Sequence, residues 1–222
     1  MKFENTEVFN FEGALRGMRN PLESWSKSDS GYGYTENPTK FIIGKNDLEL
    51  MQKLIRAGTP HRKFMRQIFV SVDITAPLYW WKEFDTYKVG TTANSTSTMH
   101  KLASTPITKE CFEMDDFNKL DKLPIIELEN IRCTISIYWE FILIPMLEKL
   151  RQKYNETKDK IFWKELIQLL PESWLQTRTI TMSYENILNM VEYRKNHKLS
   201  EWSESFMNWV KSLPYANDLL FL

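Results

Sequence analysis

Three sets of side chains in this sequence are of types that could handle a charged, ring-bearing ligand. The stretch from Val89 to Thr98 is made almost wholly of Thr, Ser, Asn, Gly and Ala. Its hydroxyls and backbone N–H groups could donate to a phosphate, although the same residues also make an ordinary solvated turn. Just before it, Trp80, Trp81 and Phe84 recur at helical spacing. They could stack a flavin or a base, and aromatic residues in that pattern also fill cores and subunit interfaces. The third set is Asn189 and Arg194. Asn has poor propensity in mid-helix, which favours a functional reason for it. Arg194 could grip an anion or form a surface ion pair with Glu192 or Glu201. His61 and His197 stand beside basic residues and are not placed for a catalytic dyad. The sequence has no nucleophile elbow, no phosphate-binding glycine loop and no zinc motif.

These groups must be positioned by a core, and the composition supplies one. Of 222 residues, 42% are hydrophobic and 14% aromatic, enough apolar surface for a sizeable core. No composition shift divides the chain, so a single domain over 1–222 is expected. Lys plus Arg equals Asp plus Glu at 29 each, which gives no long-range attraction to nucleic acid or to an anionic membrane. Any polyanion site has to be local. Two cysteines, Cys111 and Cys133, and three histidines provide neither a disulfide framework nor a metal spacing. Reduced thiols, no metal and a cytoplasmic location are the expectation. The sequence shows no signal-peptide pattern and no uninterrupted apolar stretch of membrane-spanning length.

The patterning predicts mostly helices with a small sheet, an α+β class. An irregular loop is expected over 19–40, which is rich in Ser, Gly, Pro and Asn. Leu48, Leu50, Met51, Leu54 and Ile55 predict a helix over 46–57, stopped by Gly58 and Pro60. Ile68, Val70, Val72 and Ile74 alternate as in a half-buried strand over 67–74. A helix follows from Leu78 to Lys88, aromatic on more than one face, and then the polar loop from Val89 to Thr98. The longest apolar pattern, Pro124 to Tyr154, predicts one long helix kinked at Pro145. Further helices are expected over 158–170, 184–195 and 201–213, with a strand over 177–182.

Two blocks of sequence resemble the flavin-dependent thymidylate synthase family. In the first, Arg56-Ala-Gly-Thr-Pro60 and the run Asp73-Ile-Thr-Ala-Pro-Leu-Tyr-Trp-Trp-Lys-Glu-Phe-Asp-Thr-Tyr-Lys88 are similar to a family pattern. That pattern is a glycine and Ser/Thr-Pro turn, a strand, an Ala-Pro helix start, Arg-Gln-Trp and a signature Arg-His-Arg. In the second, Leu170-Pro171, then Ser183-Tyr-Glu-Asn-Ile-Leu-Asn-Met-Val-Glu-Tyr-Arg194 and His197-Lys-Leu-Ser-Glu201, resemble Leu-Pro, Asn-x-Arg-x-x-x-Asn-x-x-x-x-Arg and Ala-Gln-x-Glu elements. The resemblance covers roughly a third of the chain, in the family's order and approximate spacing.

The resemblance implies an α+β protomer with a central antiparallel sheet, a homotetramer with sites at subunit interfaces, and reductive methylation of dUMP to dTMP with FAD and methylenetetrahydrofolate. It places substrate contacts at Glu83, Lys88, Thr91, Thr96, Ser97, Thr98 and Arg194. Cofactor contacts fall at Thr59, Thr86, Tyr87, Lys88 and Asn189. Many of the letters have changed. Thr86, Tyr87 and Lys88 stand at the Arg-His-Arg positions, Glu83 at a Gln, Thr98, Ile167 and Glu185 at Arg positions. A guanidinium grips phosphate bidentately, and an ammonium is only a flexible point charge. Each lost charge-assisted hydrogen bond is worth about 1.5–3 kcal/mol. The activity is therefore expected to be altered or lost and FAD binding weak or absent. What remains suits a nucleotide or small anion located towards Lys88 and Arg194, with a non-catalytic binding or interaction protein as the alternative.

Overall fold

The computed structural model describes residues 1–33, 41–114, 124–128 and 131–222. The chain divides into two compact units. One comprises Met1, Thr75–Glu83 and Ser95–Arg178; the other Lys2–Ile74, Phe84–Asn94 and Thr179–Leu222. The main sheet has the order β1-β4-β8-β5, from β1 (Lys2–Phe9), β4 (Phe69–Pro77), β5 (Thr92–Ser95) and β8 (Leu175–Ser183). Side-chain hydrogen bonds join Thr75 to Thr177 and Asp73 to Thr179. Stepping two residues forward on β4 while stepping two back on β8 is antiparallel register.

β4 behaves as its alternation predicts, with Val70, Val72, Ile74 and Ala76 all fully buried and the residues between them half-buried. The helix α2 (Lys45–Arg56) buries Met51 and Ile55 on one face. It ends at Gly58, whose φ of +93° is a conformation that an L side chain would strain. The Gly58 carbonyl accepts from the N–H groups of His61 and Arg62, and this turn sets the direction in which Thr59 and Arg62 project. The helix α8 (Tyr184–Arg194) follows β8 directly. Ser183 caps it and Asn186 bonds back to the Ser183 N–H, closing a capping box. The buried Tyr184 hydroxyl donates to the Pro214 carbonyl, and burial raises its pKa.

The first unit has its own apolar core of Leu102, Ile107, Phe112, Trp139, Leu143, Leu147 and Leu166. The helix α3 (Leu78–Phe84) carries Trp80 and Trp81, both buried. Trp81 donates to the Gln176 carbonyl and lies under the Arg178 guanidinium. Of the two roles open to this aromatic pattern, core filling is the one the fold uses. Exposed large apolar side chains of the first unit include Phe141, Ile161 and Ile142.

Several expected elements differ. The long helix from Pro124 is an antiparallel hairpin first, β6 (Pro124–Leu128) and β7 (Ile131–Thr134). Helical structure starts only at Ile135, passes through a π-helical segment at Trp139–Leu143, and continues in a helix over Ile144–Thr157. Pro145 follows directly on the π-helical segment, so the irregularity expected at this proline takes the form of a wider turn immediately before it. The polar loop contains β5. The segment 19–40 has 3-10 turns at Asn20–Leu22 and Trp25–Lys27 and a two-residue strand, Gly31–Tyr32, paired with Phe41–Ile42; residues 34–40 of that expectation lie outside the described ones. β1 and the helix α1 (Phe11–Arg19) had no counterpart in the sequence reading. Among the described residues no helix is long and apolar enough to cross a membrane.

Candidate functional site

The second unit contains a cavity of about 540 Å³ that collects residues from three parts of the chain. Thr59, Arg66 and Phe69 come from the turn after α2 and the start of β4. Val89 and Gly90 come from a tight turn in which the Thr91 N–H donates to the Lys88 carbonyl, with Gly90 at φ +78°. Ser183, Glu185, Asn186 and Asn189 come from the first turns of α8. The Asn186 amide nitrogen donates to the Val89 carbonyl at 2.7 Å and so ties the turn to the helix. Thr59 and Asn189, over a hundred residues apart in sequence, thus meet in one cavity.

Arg62 lies behind this wall. Its Nε sits 3.1 and 3.0 Å from the two carboxylate oxygens of Glu185, and its Nη2 donates to the Asn189 Oδ1 at 3.1 Å. A third group, Glu192, lies 3.7 Å from Nη1. Arg62 and Glu185 are both about nine-tenths buried, so the pair is shielded and mutually neutralising. Arg62 was absent from the sequence-derived candidates. The signal that could have found it is Glu185 itself, because a carboxylate on the buried face of a helix demands a nearby cation.

A second cluster of the same unit gathers Tyr87 and Arg194. The Arg194 Nε donates to the Tyr87 hydroxyl at 2.8 Å, and its guanidinium lies 5.0 Å from the Trp202 ring and 5.4 Å from that of Tyr87. Phe84 stacks on Trp202 from 6.5 Å. Arg194 is thus packed among aromatic rings, and Glu192 is turned to Arg62 rather than to it. Lys88, Thr86 and Thr91 belong to the neighbouring chain segment, with Lys88 and Thr86 exposed and Thr91 half-buried.

The remaining sequence candidates fall in the first unit. Thr96 continues the sheet: its N–H donates to the Thr177 carbonyl, and its hydroxyl accepts from the Thr177 N–H. The Ser97 hydroxyl caps the short helix Thr98–Lys101 by accepting from the His100 N–H. Thr96, Ser97 and Thr98 line a smaller cavity of about 190 Å³ with Lys101 and Cys111. Glu83 is half-buried near the end of α3.

No family model matches this sequence, and no curated protein matches it. Two solved structures of ThyX, the flavin dependent thymidylate synthase of Helicobacter pylori complexed with FAD and dUMP, are similar to it from end to end. Each aligns at a TM-score of 0.66 with all of this chain covered, at 16% identity over 98% of one and 15% over 97% of the other. At such identity the likeness establishes the fold. This chain has a ThyX-like α+β fold with an antiparallel sheet.

Proposed function

We propose that this chain binds a nucleotide or small anion on a flavin-dependent thymidylate synthase scaffold, with the reductive methylation of dUMP altered or lost. One observation carries the proposal: Arg62 is committed to Glu185 and Asn189. The cavity wall then holds one carboxylate already neutralised from behind and one further cation, Arg66. That inventory does not fit FAD, whose pyrophosphate brings a charge on each phosphorus and needs separate partners for each when desolvated. Thr86 and Tyr87 add hydroxyls but no charge, and the Tyr87 hydroxyl accepts from Arg194. In catalysis that depends on orienting ligands, losing the positioning groups removes rate as well as affinity.

The domain extends over 1–222 in this reading, in keeping with the full coverage of the similar structures. The protein assembles as a homotetramer in the cytoplasm, and exposed Phe141, Ile142 and Ile161 favour self-association. A non-catalytic interaction protein is the second reading, favoured by the same exposed side chains. Mass spectrometry of small molecules released from the purified protein tests the proposal. A nucleotide or small anion without flavin is the expected result. FAD near one per chain, or dTMP formation with reduced flavin and methylenetetrahydrofolate, would overturn it.

A further inference from the structure

Over residues 50–72 the sequence contains no Asp or Glu and carries Lys53, Arg56, Arg62, Lys63 and Arg66, in a chain whose acids and bases are equal in number. Arg62 is spent in the core on Glu185 and Asn189. Lys53, Arg56, Lys63 and Arg66 are exposed, and none of them pairs with a carboxylate among the described residues. The chain turns back between them. α2 ends at Arg56, the Gly58 carbonyl accepts from the His61 and Arg62 N–H groups, and the 3-10 turn Lys63–Arg66 follows. Residues three apart eclipse in a 3-10 turn, so Lys63 and Arg66 leave on one side while Phe64 and Met65 are buried.

Beside these cations lies another cavity of the second unit, of about 390 Å³. Leu50 and Leu54, one helical turn apart on α2, line it half-buried, together with Met18 and the buried Phe64. His61 and Lys63 line it as well, and so does Leu22, which is 85% exposed. Two acids are close in sequence. Glu49 lies 3.9 Å from Lys45, on the side away from Lys53, and Glu23 is exposed next to Leu22.

An apolar cavity bordered by unpaired cations fits a negatively charged, amphipathic partner. We infer that this face docks an acidic segment of another protein. An apolar side chain of that segment sits against Leu50, Leu54 and Phe64, and its carboxylates lie towards Lys53 and Lys63. The cations select the sign of the partner and steer its approach. The seated side chain supplies the affinity that exposed ion pairs do not. Single-stranded nucleic acid fits less well, because no exposed Phe, Tyr or Trp lines the cavity for bases to stack on. The inference goes beyond the nucleotide reading and does not use its cavity.

The test is selection of a random displayed peptide library on the full chain, with counter-selection on the double variant Lys53→Glu, Lys63→Glu. Enriched peptides should carry Asp or Glu on both sides of a Leu, Ile, Met or Phe. A fluorescein-labelled synthetic copy of the most enriched one should bind by fluorescence anisotropy, and more weakly as NaCl is added. The double variant should bind it at least about tenfold more weakly, since reversed charges repel the same carboxylates. Both replaced side chains are exposed, so the thermal midpoint should be unchanged. Replacing the apolar residue of the peptide by Ser should abolish binding. No enrichment, enrichment without acidic residues, or equal binding by the double variant overturns the inference. Tighter binding of phosphatidylserine vesicles or of oligodeoxythymidylate than of the peptide also overturns it. Nucleotide titration of the same proteins reports separately on the 540 Å³ cavity.

Discussion

Two buried arginine–carboxylate pairs of the second unit differ in how completely they are closed. Asp47 is fully buried and every direction around it is filled. Arg19 donates to one oxygen at 2.6 Å, and the Ser28 and Ser30 hydroxyls and the Asp29 N–H donate to the other. The Arg19 guanidinium in turn donates to the carbonyls of Ser24 and Lys27. Burial pushes the Asp47 carboxyl up, and the hydrogen bonds from Ser28, Ser30 and Arg19 outweigh it, so it sits below the ordinary carboxylate range. Arg62 and Glu185 are less completely closed: Glu185 borders a cavity, and its Oε2 is buried without a hydrogen-bond partner. A saturated pair is a fastener that holds the segment after α1 against α2. An unsaturated one beside a cavity can set the charge and the donor inventory of a binding site.

The largest effect should come from opening the saturated pair. Asp47→Ala leaves Arg19 buried without a counter-charge and should cost about 3–5 kcal/mol by denaturant unfolding. Glu185→Ala should cost less, about 1–3 kcal/mol, because Arg62 keeps Asn189 and Glu192 and can turn towards the cavity. The same substitution removes a negative charge from the wall and should raise affinity for a phosphate monoester, which Asp47→Ala would not do. Equal losses of stability for the two, with unchanged ligand affinity, would erase the distinction drawn between them.

Arg194 and Lys88 sharpen it further. Sequence reasoning places a ligand's charge towards both of these cations. Arg194 is half-buried against Tyr87 and Trp202, so Arg194→Ala should cost about 1–2 kcal/mol in lost ring and hydroxyl contacts. Lys88→Ala should stay within about 0.5 kcal/mol. A pH-dependent effect belongs to a half-buried pair of the first unit, Arg151 and Glu148. The Arg151 hydrogen bonds hold the Glu148 carboxyl down at about 2, against an ordinary 4.5, with help from the Ile107 N–H and Gln152. A depressed carboxylate pKa contributes stability that is present above 4.5 and is lost as pH falls towards 2. The stability gap between the wild type and Glu148→Gln should therefore close over that window in an acid unfolding series. A gap that widens on acidification would contradict the assignment.

Much of the framework was legible from the sequence because it is built on periodic burial. β4 and α2 bury the residues that their periodicity picked out, and Thr59 and Asn189 were identified through the family resemblance and meet in one cavity. β5 was hidden because all four of its residues are exposed on an edge strand, which leaves no apolar alternation to read. The hairpin before Ile135 was hidden for the opposite reason: short apolar runs such as Pro124–Leu128 do not distinguish strand from helix. Arg62 and Arg66 lie in the basic stretch His61-Arg62-Lys63 to Arg66, which looks like solvated surface. The 3-10 turn Lys63–Arg66 lies between them, with Arg62 at its buried start and Arg66 at its exposed end.

The measurement that bears most directly on the account is an equilibrium titration of the protein with FAD, followed by flavin fluorescence. With Arg62 committed to Glu185 and Asn189, no saturable complex should form in the micromolar range, while a nucleoside monophosphate added to the same sample should bind. Submicromolar FAD affinity would contradict the claim that this ThyX-like scaffold has given up its flavin site.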